Sequence, residues 1–258
     1  TKNYFMSSIL LQIENGIATI SLNRENKLNA FTREMSLLLQ DVLDECANHA
    51  AVRVLYLTGK GKAFSAGQDL AEIGDPPGPG LEKILAEQFN PIVSRIRNIG
   101  KPVVAAVNGV AAGAGANIAL ACDVVVATQS ASFIQAFSKI GVIPDCGGTF
   151  FFSKLNGWHK AAAVMIFGEK KSAEKAGPWG MIYKFFADQD FLAESVRIAS
   201  ALAQLPARAL SLTKRALNLS AGNNLEQQLK CEEELQCIAG SHEDFGKAVS
   251  AFLGKKNK

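Results

Sequence analysis

Apolar and polar positions recur along this chain with two different periods, and the change of period divides it. Residues 9–13 (ILLQI) and 17–22 (IATISL) are short β-prone runs separated by Asn15-Gly16, a strong hairpin signal. Thr32 then offers a helix N-cap, and Met35, Leu38, Leu39, Val42 and Leu43 follow at helical spacing to about residue 50. Residues 52–58 (VRVLYLT) are too densely apolar for a half-exposed strand and predict a parallel strand buried on both faces. The same density returns at 102–109 (PVVAAVNG) and 123–128 (DVVVAT), with a shorter run at 131–135. Residues 74–80 (GDPPGPG) read as a surface loop, and 81–99 as an amphipathic helix that kinks or breaks at Pro91.

From about residue 158 the helical period takes over, at 158–167, 172–178, 189–204, 206–219, 224–239 and 242–253. MIYKFF (181–186) is the one β-prone interruption. Strands alternating with helices over the first two thirds, then helix on helix, define an α/β chain with a helical annex.

Composition narrows the function without naming it. A 258-residue chain that is 48% hydrophobic and 20% charged can build its core without a disulfide or metal staple. The net charge of +3 is spread along the chain except for Lys255, Lys256 and Lys258, so no footprint for nucleic acid appears. Five cysteines without CxxC spacing read as reduced thiols in a cytoplasmic setting rather than a zinc site. No apolar run suits a bilayer, and no export signal precedes the first strand.

Three glycine-containing loops could carry chemistry. Gly59-Lys60-Gly61 follows a strand, but Phe64 stands where a dinucleotide fingerprint needs its third glycine. Ser65 in Phe64-Ser65-Ala66-Gly67-Gln68-Asp69-Leu70 resembles a nucleophile elbow, yet the later histidines, His159 and His242, lie in poor contexts for a triad. Alternatively Ala66-Gly67 lets backbone approach a ligand, or simply makes a tight turn. The small-residue run from Gly109 to Asn117 opens a helix, which either exposes first-turn N–H groups to an anion or serves close packing. Two bare N–H groups from adjacent loops are what an enolate oxygen needs.

FSAGQDL, KPVVAAVNGVAAGAGANIALACD and GVIPDCGGT occur in this order, and together they resemble the defining blocks of the crotonase (enoyl-CoA hydratase/isomerase) superfamily. The likeness covers nearly the whole chain and is similar in spacing to the branch that isomerises phenylacetyl-CoA ring epoxides. It implies a crotonase-type spiral of ββα units over residues 1–190 and a C-terminal α-helical trimerisation segment over 191–258. It implies an acyl-CoA thioester as ligand, with coenzyme A part of the substrate and no separate cofactor, metal, membrane or nucleic acid. A homotrimer or dimer of trimers follows from the same likeness. Carried over by position, the oxyanion donors fall on the N–H groups of Ala66 and Ala114, and CoA contacts on Lys27, Leu28, Gln68, Asp69 and Leu70. Glu25 stands where the family often has proline. A C-terminal lysine of the family can reach CoA phosphates from a neighbouring subunit.

A hydratase of this family moves water with two glutamates. Their positions here carry Asn117, which cannot act as a base, and Phe137, which is apolar. Asp145 remains, and by resemblance to the isomerase branches it would shuttle one proton between carbons of the acyl group. On residues alone it could equally be a helix N-cap. The expected activity is therefore an acyl-CoA isomerase, acting on a Δ3-enoyl-CoA or a ring epoxide of phenylacetyl-CoA. The alternatives are an enoyl-CoA hydratase with one carboxylate and a catalytically silent CoA-binding module. Phe150, Phe151, Phe152, Phe185 and Phe186 read as core, and Cys146 as a structural thiol.

Overall fold

In the computed structural model the described residues are 7–74 and 80–255. The hairpin strands β1 (Ile9–Glu14) and β2 (Ile17–Leu22) turn at Asn15-Gly16, both in the left-handed region. Helix α1 (Arg33–Asn48) starts as expected, with Thr32 Oγ1 accepting from Met35 N at 3.2 Å. Strands β3 (Val54–Gly59) and β4 (Ala63–Ser65) lead into the short helices α2 (Leu70–Gly74) and α3 (Leu81–Lys83). A π-helical turn, Ile84–Phe89, then runs into α4 (Asn90–Asn98). Pro91 explains that break. Without an N–H it leaves Glu87 O lacking its α-helical donor, and Gln40 Nε2 supplies one at 2.8 Å.

Next come β5 (Val103–Val107), β6 (Val110–Ala112), α5 (Ala114–Leu120), β7 (Val124–Thr128) and β8 (Ser132–Ile134). After these lie α6 (Gly148–Asn156), α7 (Trp158–Phe167), β9 (Lys170–Ser172), α8 (Ala173–Ala176) and β10 (Lys184–Phe186). Four longer helices close the chain: α9 (Phe191–Ala203), α10 (Ala207–Ser220), α11 (Leu225–Gly240) and α12 (Glu243–Lys255). No described helix is long and apolar enough to cross a membrane. The Pro/Gly-rich insert falls largely on residues 75–79, and the lysine tail on the Lys255 side chain and 256–258; both lie outside the described residues.

Successive turns of the chain place one strand in each of two sheets. The larger runs β1-β2-β3-β5-β7-β10 and is parallel beyond its hairpin; the smaller runs β4-β6-β8-β9. Thus β3 feeds β4, β5 feeds β6 and β7 feeds β8, the expected spiral. The dense apolar strands are buried on both faces because side chains alternate across the sheet. Leu55, Leu57, Val103, Ala105 and Val125 join the main core with α1 and Phe64. Val54, Tyr56, Val104, Ala106 and Val126 face Phe191, Ala199 and Ala203 of α9. Tyr56 Oη and Ser195 Oγ close that second layer at 2.7 Å.

Three expectations need correction. MIYKFF yields a strand only over its last half, and α6 appears where no helix was expected. Phe150 is exposed rather than core, because α6 turns Phe152 inward and Phe150 outward.

Candidate functional site

The segment after β4 is fixed by its own polar groups. Ser65 Oγ is fully buried, donates to Asn29 O at 2.8 Å and accepts from Gly67 N at 3.1 Å. It is a turn brace, and its engagement leaves nothing of a hydrolase nucleophile. The Ala66 N–H donates to Leu28 O at 2.9 Å. That corrects the expectation of a free donor at Ala66: the group is spent on holding the Leu28 loop. Phe31 N donates to Gly67 O at 2.7 Å, and Asp69 N to Phe31 O at 2.9 Å. Along residues 66–69 only the Gln68 N–H lacks an acceptor among the described residues.

The facing loop is built the same way. Gly113 N donates to Ile134 O at 2.9 Å, and Gly113 takes φ +51°, which turns the chain sharply into α5. Ala114 then occupies the first helical position, where an N–H has no intrahelical partner. The loops are in close contact. A Cβ placed on Gly67 would lie 2.8 Å from Ala112 O and 3.2 Å from Ala114 N, and one on Gly115 would lie 2.6 Å from Ser65 Cβ. Glycine at both positions therefore lets the Ser65–Gln68 turn and the start of α5 approach within backbone contact of one another. Gln68 was expected among the CoA contacts; its place in the turn, directly after Ala66-Gly67, was the available signal for the donor.

Leu28 and Asn29 both adopt left-handed backbone, at φ +49° and +55°. Buried Asn29 sustains it: its Oδ1 accepts from Arg24 N at 2.8 Å, and its Nδ2 donates to Lys60 O at 2.9 Å and Ala63 O at 2.8 Å. Asn29 was not foreseen from sequence. Lys27 is exposed beside this loop, and Leu70 is 56% exposed. Asp69 does structural work: Oδ2 pairs with Arg24 Nη2 at 3.0 Å, and Oδ1 accepts from Ala71 N at 3.2 Å.

On the α5 side, Phe137 is buried with its Cζ 3.7 Å from a Cβ built on Gly113, so it abuts the Gly113–Ala114 turn. Asn117 is fully buried, with Nδ2 donating to Asp145 O at 2.9 Å and Oδ1 accepting from Gln135 Nε2 at 2.7 Å. The Asp145 side chain does not cap a helix. The residue before α6 is Gly147, in left-handed conformation and without a side-chain cap. Asp145 Oδ1 is instead buried without a hydrogen-bond partner. Burial pushes its carboxyl above the usual carboxylate range, opposed by hydrogen bonds from the Cys146 thiol and its own backbone. Cys146, at φ +52°, has its thiol pushed well up by burial and then by Asp145, so no thiolate is on offer. Ile143, two residues before Asp145, is 80% exposed, so the segment leading to Asp145 runs over the surface.

A two-sheet spiral with paired small-residue loops at its strand ends is the crotonase fold class. The chain belongs to the enoyl-CoA hydratase/isomerase family, which it matches over residues 12–258. It is 42% identical to a 1,2-epoxyphenylacetyl-CoA isomerase of Escherichia coli over 98% of this chain and 97% of that one. It is 41% identical to a protein of Rhodobacter capsulatus named "Probable enoyl-CoA hydratase", over 96% of each. The crystal structure of an enoyl-CoA hydratase from Polaromonas superposes with a TM-score of 0.89 at 32% identity, over 96% of this chain and 97% of that one. The chain is thus an enzyme of a family that contains both isomerases and hydratases.

Proposed function

We propose that the chain is an acyl-CoA isomerase that moves a proton, and with it a double bond or a ring bond, through a thioester enolate. The observation that carries this reading is the single carboxyl: Asp145 Oδ1 is buried and unpartnered, while Asn117 and Phe137 occupy the positions of a hydratase's acid pair. Hydration needs one group to activate water and another to protonate carbon, whereas isomerisation returns the same proton to a different carbon.

The thioester oxygen is received by the N–H groups of Gln68 and Ala114, which serve the developing enolate better than the ground-state carbonyl. Asp145, raised by burial, takes the proton and gives it back. Lys27, Leu28 and the Gln68–Leu70 backbone border the CoA moiety, which is part of the substrate. The E. coli relative's name favours a ring epoxide of phenylacetyl-CoA over a Δ3-enoyl-CoA. The test is product analysis by NMR and mass spectrometry with crotonyl-CoA, a 3-enoyl-CoA and that epoxide. Hydration of crotonyl-CoA at a rate comparable with isomerisation would overturn the reading.

A further inference from the structure

Gln88 lies in the π-helical turn Ile84–Phe89 and is fully buried, and neither its Nε2 nor its Oε1 has a hydrogen-bond partner. Native proteins rarely bury a primary amide with both ends unsatisfied, and each case calls for an explanation. The needs of the turn do not supply one. Gln40 Nε2 already serves its carbonyls, donating to Glu87 O at 2.8 Å and Gln88 O at 3.2 Å.

The position of the turn does supply one. Phe89 packs edge-on against Phe31, with ring centroids 5.9 Å apart. Phe31 in turn holds Gly67 O and Asp69 N by its backbone, on either side of the bare Gln68 N–H. The π turn therefore sits one aromatic layer from the donor loop, and it carries a buried amide whose donor and acceptor are both free. We infer that Gln88 is a specificity residue whose amide takes an oxygen substituent on the acyl group of the thioester. This rests on the acyl-thioester reading above. Nε2 donates to an ether or hydroxyl oxygen, and Oε1 accepts a hydroxyl hydrogen. A plain hydrocarbon acyl group would leave both ends unpaired and is selected against.

Calorimetric titration with two unreactive thioesters, phenylacetyl-CoA and 2-hydroxyphenylacetyl-CoA, tests this without relying on turnover. The wild type is expected to prefer the hydroxylated ligand by roughly tenfold or more in Kd. Gln88→Leu is expected to bind phenylacetyl-CoA at least as well as the wild type and to lose the preference. Gln88→Met, equally long and apolar, must behave alike, which guards against a misfolded variant. A preference that survives both substitutions, or one absent from the wild type, overturns the assignment. If the wild type binds neither thioester, the acyl-thioester reading falls and this inference with it.

Discussion

Asn117 Nδ2 donates to the main-chain oxygen of Asp145 at 2.9 Å, joining α5 to the loop that carries the only buried, unpartnered carboxylate oxygen among the described residues. The amide has one permitted orientation. A carbonyl can only accept, and the other end of Asn117 is met by Gln135 Nε2 at 2.7 Å. Asn117→Asp replaces the donor with a second acceptor facing Asp145 O. It is expected to cost about 1–3 kcal/mol of stability, read from urea unfolding, and to lower turnover by displacing the carboxyl.

Asp145→Asn separates a proton carrier from a structural residue. Gly147 precedes α6 and no side chain caps it, so the Asp145 carboxylate is not needed as a helix cap. The variant is expected to bind acyl-CoA normally and melt at or above the wild-type temperature, with isomerisation slowed roughly 10²-fold or more. Solvent-deuterium exchange next to the thioester, followed by NMR in heavy water, reports the step wherever the abstracted proton exchanges before return. Wild-type exchange and turnover in Asp145→Asn would place the base elsewhere.

Burial also fixes the sign of the pH dependence. With its folded pKa raised, Asp145 favours the fold when protonated; that contribution is complete below the unfolded pKa and is lost as pH rises through the folded one. The melting advantage of Asp145→Asn should therefore appear at neutral pH and vanish in acid. If Asp145 is the proton acceptor as proposed, it must be ionised to act, so kcat should fall on the acid side at a pH above the ordinary carboxylate value of 3.8.

On the proposed reading Ala114 acts through its backbone. Ala114→Gly is expected to be mild, whereas Ala114→Pro deletes the donor at a first helical position, where proline is tolerated. The expected loss of transition-state stabilisation is about 3 kcal/mol, measured as kcat/KM in a variant with native circular dichroism. Full activity in a folded Ala114→Pro protein would remove Ala114 from the site.

Helices α7 and α11 and the bend before β10 leave large apolar side chains in water. Trp158 is 76% exposed, Phe167 67%, Tyr183 72% and Leu225 75%. Assembly of three copies, or six, would cover such surface, and light scattering at micromolar concentration is expected to give a multiple of the 27.5 kDa chain. A monomer mass would contradict it.

The sequence was most legible where one residue type forces one outcome. Thr32 capped α1, Asn15-Gly16 made the hairpin, and the apolar runs became the strands of the large sheet. Asn117 and Phe137, read as departures from an acid pair, both proved buried beside the loops. What stayed hidden depends on who partners whom. Ala66 and Gln68 are equally plausible donors in a string of letters, and only the Leu28 carbonyl decides between them. The three-residue strands β4, β6, β8 and β9 are too short to show a period, although β8 fell within an apolar run. The π turn follows from a proline deleting one hydrogen bond, and its rescue comes from Gln40, 47 residues away.

The large sheet is also a partition one residue thick. Along β3, Leu55 and Leu57 point toward the core that holds the donor loops, while Val54 and Tyr56 point toward α9. Neighbouring codons therefore address different properties of the enzyme. A change at Leu55 or Leu57 is felt first in the core beneath the loops, and a change at Val54 or Tyr56 first in the packing of α9. Packing beneath the loops and packing against α9 alternate along a single strand, with a period of two.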